Sequence, residues 1–318
     1  MKKVLVTGAA GFIGSHVSER LLARGDTVVG FDDFNDYYPV AYKRENVALL
    51  GKYSRFSMVE GELCDAALIR DTMARHEISH VAHLAARAGV RPSIVDPFIY
   101  ERANVLGTLS VLQACVNAKV SHVVVTSSSS VYGNSTAIPF REDDSATDRP
   151  ISPYAATKKA AEVMSFTYHK LYGLSVNVVR PFTVYGPRGR PDMAPWLFIE
   201  SAVKGAPIKK FGDGSTRRDY TFIDDFVGGF MNAIDREFGY EIFNLGNSNT
   251  VSLNEALEIV ARVTGKDLVI EQLAMQPGDV HLTNADVSKA RSLLDYDPTT
   301  SFSDGMAKFF EWYRSTRL

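Results

Sequence analysis

Tyr154 and Lys158 stand four residues apart in SPYAATKKAAEVMSFTYHKLYG, a stretch that reads as one helix beginning near Ser152 and Pro153 and stopping at Gly173. That spacing puts both side chains on one helical face, with Cβ atoms about 5–6 Å apart. A phenol titrates near pH ~10, so it works as a base at neutral pH only beside positive charge. Lys158 is a source of such charge, and the chemistry on offer is acid–base catalysis. Alone, the spacing fits a snorkelling lysine beside a packed tyrosine as well. Upstream, TSSSSVYG (126–133) follows an apolar β-branched run, so a cluster of hydroxyls leaves the carboxyl edge of a strand, where ligands bind in open α/β sheets. A serine-rich turn is the other reading of that cluster.

Side chains so placed need a scaffold. Short apolar runs at 3–7, 27–31, 55–60, 80–85, 122–127 and 175–180 alternate with helix-length segments. Continuous runs of that length predict buried parallel strands joined by crossover helices, hence an α/β fold with a doubly wound parallel sheet of the Rossmann type. After Arg180 the alternation loosens: APIKKF and RDYTFI read as short strands, with helices at 252–264 and 302–314. The expected organisation is a cofactor-binding domain over residues 1–180 and a smaller α/β substrate domain over 181–318. Segments near 220–247, FNLGN among them, are expected to return to the main sheet.

The first run leads into VTGAAGFIG, which sets Gly8, Gly11 and Gly14 between a strand and a helix through SHVSERLLARG. Glycines there permit a tight turn, close approach of backbone to a pyrophosphate and close helix packing, while the helix start offers N–H donors and a positive dipole. Asp32 ends the second strand, where a carboxylate can accept both hydroxyls of a ribose; with Asp33 beside it, a 2′-phosphate would be repelled. NAD is therefore expected rather than NADP.

A chain of 318 residues exceeds one typical domain, and a formal charge of −2 with no basic run leaves no footprint for nucleic acid or an anionic membrane. No run of about 20 apolar residues suits a membrane span, and MKKVLVTGAAGFIG is too short and glycine-broken for a signal peptide. Cys64 and Cys115 sit in apolar or helical surroundings and predict a reducing compartment. The expectation is a cytoplasmic protein whose partner is a small molecule.

The glycine fingerprint, the serine run ending in Val131, Tyr132 and Gly133, Tyr154 with Lys158, NVLGT (104–108) and RRDYTFIDD (217–225) together resemble the extended short-chain dehydrogenase/reductase family over essentially the whole chain. The resemblance implies Tyr154 as acid/base, Lys158 as the group that orients and charges it while binding ribose, and Ser128 as hydrogen-bond partner of the reacting hydroxyl. It extends the NAD contacts from Gly8, Gly11, Gly14 and Asp32 to Phe12, Ile13, Glu62, Leu63, Leu84, Ala85, Ala86 and Asn104. Glu62 stands where the family often has aspartate for the adenine amine; Asn104 is assigned to the cofactor side or to supporting its own helix. His83 receives no role, since a histidine on such a strand is more often a satisfied core residue. Long helices expected at 98–117 and 153–172 resemble those of a four-helix dimer interface, so a homodimer is implied.

Members of that family act on nucleotide-linked sugars, and FGDGSTRRDYTFIDD is similar to their diphosphate-binding stretch, with Arg218 best placed for a phosphate. Dehydratases of the family carry an Asp-Glu pair before the valine and decarboxylases a glutamate; here Ser129 and Ser130 fill those places. With no carboxylate to move a second proton, elimination lacks its partner. Inversion at C4 through a transient 4-keto sugar needs none. NDYYPVAYK, RAGVRPSI, RPFTVYGPRGRPDMA and MQPGDV are similar to the branch that handles UDP-uronic acids, which implies conversion of UDP-glucuronic to UDP-galacturonic acid with tightly held NAD. Decarboxylation of UDP-glucuronate, or 4-epimerisation of another nucleotide sugar, is the alternative.

In that reading Arg190 and Thr183, helped by Ser129 and Ser130, hold the sugar carboxylate. Arg91 takes carboxylate or pyrophosphate, Asp279 adds a substrate contact, and Arg188 is either a ligand or a turn residue paired with surface acids. Oxidation at C4 creates a β-keto acid, which loses carbon dioxide when the breaking bond lies along the carbonyl π system. A fixed cluster of donors has to hold the carboxylate out of that line.

Overall fold

The computed structural model describes residues 1–275 and 281–318. The apolar runs form β1 (Lys3–Thr7), β2 (Thr27–Asp32), β3 (Phe56–Glu60), β4 (His80–His83), β5 (His122–Thr126) and β6 (Ser175–Pro181). Then come β7 (Thr183–Tyr185), β8 (Ile208–Phe211), β9 (Arg217–Phe222), β10 (Tyr240–Leu245), β11 (Thr250–Ser252) and β12 (Ile270–Leu273). A seven-stranded sheet in the order β10-β6-β5-β4-β1-β2-β3 has every neighbouring pair parallel. Helices cover both faces, which is why HVVVT of β5 is buried at every position and carries no polar–apolar alternation. This is the doubly wound α/β fold expected from the runs. Strand order reverses between β1 and β4, and a crevice opens there at the carboxyl ends of the strands.

β10 comes from the later part of the chain and closes one edge, with Tyr240 in register with Val176. Beyond the main sheet, β9 pairs parallel with β7 and antiparallel with β11, while β8 and β12 form a separate two-stranded sheet. One apolar cluster runs from Val4 and Val124 through Phe182 and Phe222 to Trp196 and Phe309. The later part therefore shares its core with the main sheet.

The Pro153–Tyr172 helix starts where the sequence places it. Ser152 accepts the Ala155 N–H at 3.1 Å, Pro153 occupies the first turn, and Gly173 stops the helix in the left-handed region at φ 69°. The helix expected at 98–117 is different. It consists of a turn at Pro97–Tyr100, a π-helical turn at Glu101–Leu106 and an α-helix at Gly107–Ala118. Asn104, fully buried in the π turn, accepts the Arg87 N–H at 2.8 Å and donates to the Arg87 carbonyl and the Thr157 hydroxyl, both at 3.0 Å. Widening the turn aims this amide at those groups, a tertiary demand that helical periodicity does not display.

Candidate active site

The crevice is built on glycine. Gly8 leaves β1 at φ +72°, and a Cβ there would lie 2.9 Å from Ala85 N; at Gly14 a Cβ would lie 2.0 Å from the Gly8 carbonyl oxygen. The Phe12–Ala23 helix begins at Gly11 with no side-chain cap and no acid in its first turn, so its leading N–H groups remain donors for an anion. At the end of β2, buried Asp32 accepts the Ala10 N–H at 3.2 Å and the Phe34 N–H at 2.9 Å. Burial pushes its carboxyl up, and the Lys43 ammonium opposes that. Phe12, Ile13, Glu62, Leu63, Leu84, Ala85 and Ala86 join Gly8, Gly11, Gly14 and Asp32 in the wall of a cleft of about 390 Å³. A bare helix start behind a glycine turn, with a buried carboxylate one strand away, fits an adenine dinucleotide.

Tyr154 and Lys158 form part of the same wall. Lys158 Nζ donates to the Thr126 carbonyl at 2.8 Å, and the Ser128 hydroxyl hydrogen-bonds the Tyr154 phenol. Burial raises the phenol pKa, with Ser128 and the Arg190 charge acting against it. Burial likewise lowers Lys158 to about 8, opposed by Glu162 one turn further along the helix. Ser128 accepts the Ser130 N–H at 3.1 Å and so opens the 3-10 turn Ser129–Tyr132. Ser129, Ser130 and Thr183, the first residue of β7, are partly buried and are not in the wall of this cleft. Behind the pair, Glu162 takes two bonds of 2.8 Å from Arg180 on β6 and the hydroxyl hydrogen of Ser127.

The three arginine side chains of RPFTVYGPRGRPDMA have separate partners. Arg180 is fully buried against Glu162. Arg188, at φ 60°, reaches Glu19 at 2.6 Å and His16 at 2.8 Å, tying its loop to the first helix. Arg190 lines the cleft, pairs with Asp192 and acts electrostatically on Tyr154. A second cleft of about 690 Å³ has Arg91, Asp192, Phe211, Arg218 and Tyr220 in its wall, with the Arg91 guanidinium 5.8 Å from the Phe211 ring centre. Asp279 lies outside the described residues.

Several assignments are thus brought together at one cleft, while Asn104 is not in its wall and holds Arg87 and Thr157 instead. Glu62 reaches the wall but its carboxylate is engaged by Arg102 at 2.7 Å. His83 is fully satisfied: its ring nitrogens meet the Thr7 and Thr108 hydroxyls at 2.8 and 3.0 Å, and burial lowers its pKa to about 3. Sequence reasoning missed Lys43, Tyr37 and Tyr38 in the cleft wall, although NDYYPVAYK contains all three. An aromatic-rich segment straight after the Asp32 strand was the available signal.

The model of the NAD dependent epimerase/dehydratase family matches residues 4–246. The UDP-glucuronate 4-epimerase of Thermodesulfobacterium geofontis is 44% identical over 309 residues, covering 97% of this chain and 95% of that one. UDP-glucuronate 4-epimerase 3 of Arabidopsis thaliana is 44% identical over 329 residues, covering 98% of this chain and 76% of the relative. Among solved structures, UDP-glucuronic acid 4-epimerase from Bacillus cereus, in complex with UDP-glucuronic acid and NAD, has a TM-score of 0.92 at 36% identity, covering 98% of this chain and 99% of that one. A family model matched over most of the length, relatives similar over nearly all of this chain and a glycine-built cleft facing Tyr154 and Lys158 agree: the chain belongs to the NAD dependent epimerase/dehydratase family.

Proposed function

We propose that this chain is an NAD-dependent isomerase that inverts C4 of UDP-glucuronic acid to give UDP-galacturonic acid through a transient 4-keto sugar. The observation that carries the reading is the meeting of Tyr154, Lys158 and Arg190 at one cleft, with Ser128 hydrogen-bonded to the Tyr154 phenol from just behind its wall and with positions 129 and 130 being serines instead of the carboxylates elimination needs. Relatives named as UDP-glucuronate 4-epimerases, similar over nearly the whole chain, support the substrate.

In this mechanism Tyr154 removes the proton from the C4 hydroxyl and later returns it, and Ser128 hydrogen-bonds that hydroxyl. Lys158, pinned to the Thr126 carbonyl, stabilises the phenolate electrostatically and binds ribose. When bound in this cleft, NAD would supply a reversible hydride acceptor for C4, so that hydride lost from one face of the sugar can return to the other. Gly8, Gly11 and the helix start hold the pyrophosphate, Asp32 the adenosine ribose, and Glu62 and Leu63 the adenine side. Arg190, with Thr183, Ser129 and Ser130, binds the sugar carboxylate and keeps it off the axis along which the 4-keto acid decarboxylates. Arg91 and Arg218, in the second cleft, and Asp279 take the UDP portion.

A homodimer and a cytoplasmic location complete the reading. Val163, Phe166, Leu171 and Tyr172 on the Pro153–Tyr172 helix are exposed, as are Leu106 and Leu109 beside it, an apolar face suited to a second copy. Light scattering of the purified protein tests this, and a monomer at micromolar concentration removes it. The function itself is tested by incubating the protein with UDP-glucuronate and following the nucleotide sugar by mass spectrometry and proton NMR. A product of unchanged mass with inverted C4 is expected; loss of carbon dioxide as the main reaction would replace the reading with decarboxylation.

A further inference from the structure

Arg190 presents Nε and Nη2 to the two carboxylate oxygens of Asp192, both at 2.9 Å. Two parallel bonds fix the plane of a guanidinium as well as its position. Nη1 takes no part in the pair. Tyr37 completes the arrangement: its ring centre lies 5.6 Å from the Arg190 guanidinium carbon, and its hydroxyl donates to Asp192 at 3.4 Å. The loop after β2 and the loop after β7 are thereby tied at one point.

That point has a definite place. Arg190 and Tyr37 line the cleft that holds Tyr154 and Lys158, whereas Asp192 lines the one that holds Arg91 and Arg218. The pair sits where the two clefts meet, as a group contacting the sugar would have to. It is also weak as a source of stability. An ion pair between residues two apart, with side chains 21% and 38% exposed, contributes on the order of 0–1 kcal/mol. Its geometry is what distinguishes it.

Resting on the reading that Arg190 holds the sugar carboxylate, we infer that Asp192, together with Tyr37, is a positioning residue that locks the Arg190 fork and thereby sets how the 4-keto intermediate partitions between epimer and carbon dioxide loss. In the leak, the bond from C5 to the carboxyl carbon breaks, carbon dioxide leaves, and the electron pair enters the C4 carbonyl as an enolate. A proton taken up at C5 gives UDP-4-keto-pentose, and one equivalent of reduced cofactor remains for each molecule lost. Only an aligned bond breaks quickly, and small errors of placement change such rates by about 10²-fold. A guanidinium free to swing carries the carboxylate with it; one locked by Asp192 does not.

The test compares Asp192→Asn, Asp192→Glu, Tyr37→Phe and Arg190→Lys with the wild type on UDP-glucuronate, reading the share of product that has lost carbon dioxide by mass spectrometry. Asp192→Asn keeps the shape and removes the charge. It is expected to raise the leaked share about 10-fold or more while KM stays within about threefold, a split that orientation produces and lost binding does not. Asp192→Glu should recover part of the wild-type partition, and Tyr37→Phe, which loses only the hydroxyl contact, should leak less than Asp192→Asn. Wild-type partition in both Asp192→Asn and Tyr37→Phe, alongside a leaking Arg190→Lys, overturns the inference and leaves the clamp intact. If Arg190→Lys also fails to leak, the assignment of Arg190 to the carboxylate falls, and the inference with it.

Discussion

Lys158 Nζ lies 2.8 Å from the carbonyl oxygen of Thr126, so the ammonium is anchored to the end of β5 by a neutral dipole, with Glu162 acting on it electrostatically from one turn along the helix. Glu162, the acid nearest along the helix, is turned to Arg180 and Ser127. At the Tyr154 phenol, the Ser128 hydroxyl and the Arg190 charge act against burial.

Replacing Tyr154 with Phe is expected to lower kcat by about 10²–10⁴-fold while the cofactor still binds. Steady-state assays together with fluorescence titration of NAD separate the two effects. Turnover near the wild-type rate would remove Tyr154 from its role.

The pH profile follows from Lys158, which burial lowers to about 8. As pH rises through that value the charged form is lost, so turnover should decline above pH ~8. In Lys158→Met the remaining activity should show no break there. An identical alkaline limb in both proteins would assign that limb to another group.

His83 links fold and pH. Burial brings it to about 3, against an ordinary value of 6.5, so the unfolded chain takes up a proton before the folded one as pH falls. Between those values the unfolded state binds more protons, stability rises with pH, and the contribution present above 6.5 is lost on acidification. His83→Gln should therefore show a shallower dependence of Tm on pH between 4 and 6. Some slope should persist, because burial also brings His16 to about 3.

Removing one side of the buried Arg180–Glu162 pair leaves an uncompensated charge in the core. Arg180→Met should cost about 3–5 kcal/mol in urea unfolding, and adding Glu162→Met should restore much of it. Equal cost in single and double variants would mean that the contacts of Arg180 with Tyr132, and not the charge pair, dominate.

What could be read from sequence was what repeats or punctuates. β1 to β6 were legible because buried parallel strands are short unbroken apolar runs, and the cofactor turn because Gly8 and Gly14 have no room for a Cβ. The Ser152 cap and Gly173 stop fixed the helix carrying Tyr154. Partners distant in sequence left no such trace. Arg180, Arg188 and Arg190 look alike in one segment, yet they engage Glu162, Glu19 and Asp192 respectively, and only the last is local. The π turn around Asn104 was hidden for the same reason, since it answers to Arg87 and Thr157 instead of to its neighbours.

The most direct test is turnover of UDP-glucuronate carrying deuterium at C4, in ordinary water and with no cofactor added. The expected product is UDP-galacturonate of unchanged mass with the deuterium still on C4, because the hydrogen returns to the carbon it left and Tyr154 exchanges only the hydroxyl proton. Deuterium released to solvent, or a product lacking the carboxyl group, would contradict hydride return at C4.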